Sequence, residues 1–79
     1  MAQLSGNVID PAGKPIENAT IAIPSDALFA LSDENGLFEI DGISLGTQRV
    51  NVVHRTHKKF SEDITIYKNT DVSLIMDNL

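Results

Sequence analysis

Apolar and polar residues alternate along most of the chain, in short segments separated by Gly, Pro, Asn and Asp. Period-2 alternation is typical of strands with one buried face, and turn residues every eight to twelve positions are typical of a sandwich or barrel. No segment has a sustained 3.6-residue apolar period. Seven strands are predicted, at about 3–10, 19–23, 27–32, around Phe38 and Ile40, at 47–54, around Phe60, Ile64 and Ile66, and around Val72, Leu74 and Met76.

Two segments predict turns, Asp10-Pro11-Ala12-Gly13 and Asp33-Glu34-Asn35-Gly36. Asp accepts hydrogen bonds from backbone amides ahead of it, and Gly adopts positive φ without steric cost. The second segment predicts a hairpin, with a type I turn followed by a left-handed glycine. It also has acidic residues spaced as in a calcium loop, but it lacks the twelve-residue length and terminal Glu of such a loop. We therefore interpret it as a turn. A further loop is predicted from Asp41-Gly42 to Gly46.

Residues 27–32 are apolar up to Ser32, which is consistent with a strand covered on both faces or with a helix. The shortness of the run and Pro24 just before it favour the strand. In a strand, either Leu28 or the pair Phe29 and Leu31 faces away from the core. These three residues are a candidate contact with a neighbouring domain or with a second copy of the chain.

The 79 residues predict one domain over 1–79, with a small core. The chain has no cysteine, which excludes disulfides and thiolate metal sites. Its net charge of −5 argues against general nucleic-acid binding, which depends on neutralising phosphates. No apolar run is long enough to span a membrane. The N-terminus lacks the basic and apolar regions of a signal peptide.

The charge is unevenly distributed, because residues 49–68 carry five Lys and Arg against two Asp and Glu. Within this stretch, Arg55, His57, Lys58 and Lys59 predict a basic connecting segment. It is either a solvated loop or a contact for an acidic partner domain or lipid head group.

The candidates for chemistry are few. His54 and His57 would point to opposite faces within one strand and would converge in a loop, with no evident third metal ligand. No serine lies in a nucleophile-elbow pattern. The first strand has no Lys for a Lys–Asn isopeptide bond. We therefore expect no catalytic site, no cofactor and no metal. Glycan binding is an alternative, although the chain has no Trp and a single Tyr, Tyr67, for stacking on a sugar.

Two stretches, in this order and at this spacing, cover nearly the whole chain. The first stretch consists of Gly6-Asn-Val8-Ile-Asp10, Gly13-Lys-Pro15-Ile16 and Ala19-Thr-Ile21, and the second of Ala30-Leu-Ser32-Asp33-Glu-Asn-Gly36-Leu-Phe38-Glu-Ile40, Ile43, Gly46 and Val50-Asn-Val52. Together they resemble the carboxypeptidase regulatory-like domain family. Gln48 stands where the family often has an aromatic residue, and Thr56-His57 stands where it often has Gly-Tyr.

The resemblance implies a seven-stranded, transthyretin-like (prealbumin-like) Greek-key β-sandwich. It also implies a non-catalytic accessory module of a larger exported or cell-envelope protein, in an extracellular, periplasmic or cell-surface location. The partners would be neighbouring domains of the parent protein or another protein, or a second copy of the chain. A glycan- or peptide-binding sandwich module is the alternative.

Overall fold

Seven strands and one short 3-10 turn make up the protein, whose computed structural model describes residues 1–79. The prediction of an all-β fold with seven strands is confirmed. In chain order the elements are β1 (Ala2–Ile9), β2 (Thr20–Ile23), the 3-10 turn (Pro24–Asp26), β3 (Leu28–Leu31), β4 (Leu37–Ile43), β5 (Gly46–His54), β6 (His57–Ile66) and β7 (Thr70–Ile75).

The strands form two sheets, a three-stranded sheet in the order β4-β1-β7 and a four-stranded sheet in the order β3-β2-β5-β6. Alternate residues of each strand point between the sheets, which gives one shared core. The most deeply buried side chains from the two inner faces are Leu4, Val8, Ile21, Ile23, Ile43, Val50, Val52, Ile66, Leu74 and Met76.

The two predicted turns have the same hydrogen-bond pattern. In each, the leading aspartate carboxylate accepts the amide hydrogens two and four residues later, and its carbonyl accepts the amide three residues later. The acceptors are Asp10 and Asp33, and the donors are Ala12, Gly13 and Lys14 in the first turn and Asn35, Gly36 and Leu37 in the second. Both turn predictions are confirmed.

The prediction of a hairpin at Asp33–Gly36 is wrong, because β3 and β4 belong to different sheets and do not pair. The turn is formed as expected, with Gly36 at φ 76°. Beyond it, however, the chain crosses to the other side of the core, where β4 pairs with β1. Turn chemistry determines where the chain reverses, and the choice of partner strand depends on residues distant in sequence.

Two predicted loops are shorter than expected. Asp41 and Gly42 lie within β4, where a bulge places the extra residue of β4 between the pairs Leu4–Ile40 and Ala2–Ile43. An Asp-Gly pair with a left-handed glycine fits a bulge as well as a turn, which explains the error. The basic connection 55–59 is likewise only a two-residue turn, because β6 already begins at His57.

The chain begins and ends at opposite ends of the sandwich, because β1 and β7 are parallel neighbours. At one end, the amide of Gln3 donates to the Asn69 side chain. At the other, the amide of Met76 donates to the Ile9 carbonyl oxygen. The longest dimension is 32 Å, about the length of a ten-residue strand. No helix here has the length and apolar character needed to cross a membrane.

Candidate functional site

Residues 28–31 form the edge strand β3, so the strand interpretation of this apolar run is confirmed. Leu28 and Ala30 pack against the core. Phe29 and Leu31 point outward, with exposed fractions of 68% and 55%. The expectation that this strand is covered on both faces is therefore wrong. It fails because β3 ends the sheet and nothing in this chain packs over its outer face.

Two further exposed apolar side chains, Val53 and Leu37, lie near the outward side chains of β3. Across the strands, Leu31 pairs with Thr20, and Thr20 pairs with Val53, which is 48% exposed. Around the edge, Leu31 and the exposed Leu37 of β4 line one shallow groove. We call Phe29, Leu31, Leu37 and Val53 the apolar surface. Val53 and Leu37 were not among the residues predicted from the sequence, although Val53 breaks the alternation of β5.

The backbone of β3 is also available at its free edge. The Ser32 amide donates to the carbonyl oxygen of Ala19. The backbone of Ser32, and of every second residue before it in β3, therefore points toward β2. Because hydrogen-bonding direction alternates along an antiparallel strand, the amides and carbonyls of Phe29 and Leu31 point away from β2. These two residues therefore present both a side chain and an unpaired backbone to a partner.

The predicted basic segment is divided between a turn and a strand. Arg55 lies in the two-residue turn, whereas Lys58 and Lys59 are exposed in β6. Lys59 lines a shallow depression together with Val53. Lys59 of the basic segment is therefore adjacent to Val53 of the apolar surface, although the two are six residues apart in sequence.

His54 and His57 lie directly opposite each other on β5 and β6, flanking the turn. Their Nδ1 atoms are 3.1 Å apart, and the rings meet edge to face with centroids 4.9 Å apart. The sequence left open whether the two rings point apart or toward each other, and the structure shows that they point toward each other. Directly paired residues share a face of the sheet, whatever their spacing in one strand would imply.

The acidic turn at Asp33 does not resemble a cation site, because one carboxylate oxygen already accepts two amides of its own turn. No group of three or more His, Asp or Glu side chains is arranged to hold a metal ion. No buried polar side-chain atom lacks a hydrogen-bond partner. The apolar surface, Lys59 beside it and the histidine pair are the candidate functional features.

Several solved structures share this fold. A chain of a type II cohesin–X-dockerin complex from Acetivibrio cellulolyticus matches with a TM-score of 0.85 at 18% identity, covering 96% of this chain and 57% of that chain. The Caf1A usher C-terminal domain matches with a TM-score of 0.64 at 11% identity, covering 98% and 100%. A DUF3823 family protein from Bacteroides ovatus matches at 0.65 and 16% identity, covering 96% and 44%.

At such low identity these likenesses concern the fold alone. This chain spans 57% of the cohesin–X-dockerin chain that it matches. No curated protein sequence matches it at a significant level. The model of the carboxypeptidase regulatory-like domain family matches residues 3–77, which is nearly the whole chain and agrees with the resemblance in its turns and strands. The chain therefore belongs to the carboxypeptidase regulatory-like domain family.

Proposed function

We propose that this domain is a non-catalytic interaction module of a larger exported protein, and that its apolar surface docks a neighbouring domain of the same polypeptide. The observation that supports this most is the position of Phe29 and Leu31. Both expose large apolar side chains and unpaired backbone on the same edge strand. Contiguous apolar surface bordered by polar residues is typical of a protein interface.

The choice of a neighbouring domain as the occupant is supported by the similar structures. The matched region is 57% of one longer chain and 44% of another, so this fold sits within larger polypeptides. In the Caf1A usher C-terminal domain, hydrophobic clusters on the surface are important for F1 antigen assembly. That precedent supports a docking role for exposed apolar residues on this fold.

The chemistry of the surface suggests what the neighbouring domain presents. Phe29, Leu31 and Val53 would meet apolar side chains, and Lys59 beside Val53 would meet an acidic group. The unpaired backbone of β3 would accept an added strand or a loop with extended backbone. Arg55 lies two residues beyond Val53 in the turn between β5 and β6, where its charge would affect association rate more than affinity. Lys58 alternates with Lys59 along β6 and therefore points to the other face of the sheet.

Hydrogen–deuterium exchange tests the proposal. Exchange of Phe29 and Leu31 amides is compared between the isolated domain and the same domain within its natural polypeptide. We expect fast exchange in the isolated domain and protection in the natural polypeptide. Equal exchange in both, or a reading frame that encodes no further domain, would contradict the proposal.

A matched pair of variants makes the test specific. Leu31→Ser removes an apolar side chain from the apolar surface, whereas Ile75→Ser removes one that is equally exposed, at 57%, on the other sheet. Each change should alter the free energy of unfolding by only about 0.5 kcal/mol. Leu31→Ser should abolish the protection of the β3 amides and Ile75→Ser should preserve it. Equal loss of protection in both variants would contradict the placement of the interface.

A further inference from the structure

We propose that His54 and His57 form a binding site for a divalent late transition-metal ion such as Zn²⁺, at the end of the sandwich near the chain's C-terminus. The first observation is the spacing of the two Nδ1 atoms, 3.1 Å. Metal–imidazole bonds are about 2.0–2.1 Å long. Two such bonds to one ion, with their nitrogens this far apart, enclose an angle between the octahedral and the tetrahedral values. The pair is therefore spaced as adjacent ligands.

The second observation is the orientation of His54. Its Nε2 lies 2.9 Å from the carbonyl oxygen of Glu17. Because a carbonyl oxygen only accepts, His54 carries its hydrogen on Nε2. Its Nδ1 is therefore an acceptor, which lies next to Nδ1 of His57 and also accepts the Thr56 amide hydrogen. A ligating histidine that donates its other ring hydrogen to a backbone carbonyl is the usual arrangement of metal sites, because it fixes the ring and the tautomer.

The third observation is the surrounding shell. The Thr56 hydroxyl oxygen lies 3.1 Å from both Nδ1 atoms, so it can approach an ion bound between them or hydrogen-bond a water on it. Asn78 forms a bridge opposite His57, which places its side chain on the same face. Two imidazoles, the hydroxyl or amide oxygen, and water would complete a four- to six-coordinate shell.

Metal binding replaces the hydrogen bond between the two rings. In the metal-free pair, His57 donates a hydrogen from Nδ1 to Nδ1 of His54. When the ion binds, His57 moves that hydrogen to Nε2, and both Nδ1 lone pairs coordinate the ion. The Thr56 amide, 3.2 Å from Nδ1 of His54, gives up its contact and faces solvent. The step moves one hydrogen within the ring of His57 and releases none.

The neighbouring charges limit the affinity. Arg55, Lys58 and Lys59 lie in or next to the turn, against Glu17 and Asp77 at the same end of the sandwich. This small positive excess opposes a cation and favours a site that binds and releases its ion readily. His54 and His57 already face each other across the two-residue turn, so ion binding needs no large conformational change.

Zinc titration of the domain, followed by NMR of the imidazole nitrogens, tests the inference. We expect ligation-type shifts at Nδ1 of both histidines, while Nε2 of His54 keeps its hydrogen. His57→Ala should weaken zinc binding at least about tenfold, since the remaining histidine is a single ligand. Lys59→Ala, a matched change on the same strand, should leave the affinity unchanged or slightly raised.

Three results would overturn the inference: no imidazole shift in millimolar zinc, ligation through Nε2, or equal affinity in His57→Ala and the wild type. His54→Ala is a second variant, and a far-ultraviolet spectrum checks that it folds. A folded His54→Ala protein that binds zinc as tightly as the wild type would also contradict the site. None of these outcomes depends on the docking of a neighbouring domain.

Discussion

Gly6 lies in β1, where the backbone of β7 leaves no room for a side chain. A Cβ atom added at this position would lie 1.8 Å from the carbonyl oxygen of Val72, which is backbone and cannot rotate away. Gly6 pairs with Val72 on one side and with Phe38 on the other, so β1 cannot shift toward either neighbour without loss of pairing. Glycine is therefore required here by the spacing of the strands.

We predict that Gly6→Ala destabilises the domain by about 3 kcal/mol or more, the upper range for forced overpacking. For a domain of this size, the midpoint of thermal unfolding should fall by at least about 10 °C. Gly13→Ala is the control, because nothing lies within 4 Å of a Cβ there and only its positive φ is strained. Thermal melts of the two variants that coincide would show that the close approach is wrong.

The histidine pair shows what the sequence alone leaves undetermined at this scale. His54 and His57 are three residues apart, and one more residue of strand or turn between them reverses the relative direction of their rings. Only the position of the two-residue turn at Arg55 and Thr56 makes them face each other. That position depends on pairing along the whole of β5 and β6, which local composition does not specify.

At the scale of elements, Ser32 joins the end of β3 to the loop before β2. Its hydroxyl donates to the carbonyl oxygen of Ile16 at 2.6 Å and accepts the amide hydrogen of Ala19 at 2.9 Å. Ser32, Ile16 and Ala19 are all buried, so water cannot replace the hydroxyl as the partner of this carbonyl and amide. In the sequence, Ser32 is the polar end of an apolar run, and nothing in its neighbours indicates a buried hydroxyl.

We predict that Ser32→Ala costs about 2–3 kcal/mol, since it leaves a buried amide and a buried carbonyl without partners. Ser73→Ala, at an exposed position of β7, should change the free energy of unfolding by no more than about 0.5 kcal/mol. Urea unfolding of the two variants gives both values. If Ser32→Ala were as stable as Ser73→Ala, the loop would not depend on this hydroxyl.

The sequence alone predicts where the strands lie, but it does not predict which strands pair with each other. The alternation of Phe38 and Ile40 with exposed Glu39 determines which side of β4 faces the core, because one face must be buried. The same residues do not state that β4 pairs with β1. The pairing depends on β1 lying between two other strands of its sheet, and this arrangement becomes favourable only when the whole core is assembled.

At the scale of the molecule, the parallel pair of β1 and β7 determines how the domain transmits tension. Their paired residues run from Leu4–Thr70 to Ile9–Ile75, and the chain enters and leaves at opposite ends. Tension applied at the termini therefore pulls the two strands along their axes in opposite directions. All the hydrogen bonds between them are then loaded together, in shear. A spacer between neighbouring domains would benefit from this resistance.

Single-molecule stretching with different attachment points tests this directly, and the lack of native cysteine allows specific attachment. Handles at the termini shear β1 against β7. Handles on the pair Thr47→Cys and Thr65→Cys, at the open end of the β5–β6 hairpin, instead peel that hairpin apart one bond at a time. We expect a severalfold higher unfolding force in the terminal geometry at the same loading rate, because peeling never loads more than the outermost bonds. Equal forces in the two geometries would mean that β1 and β7 do not bear the tension together.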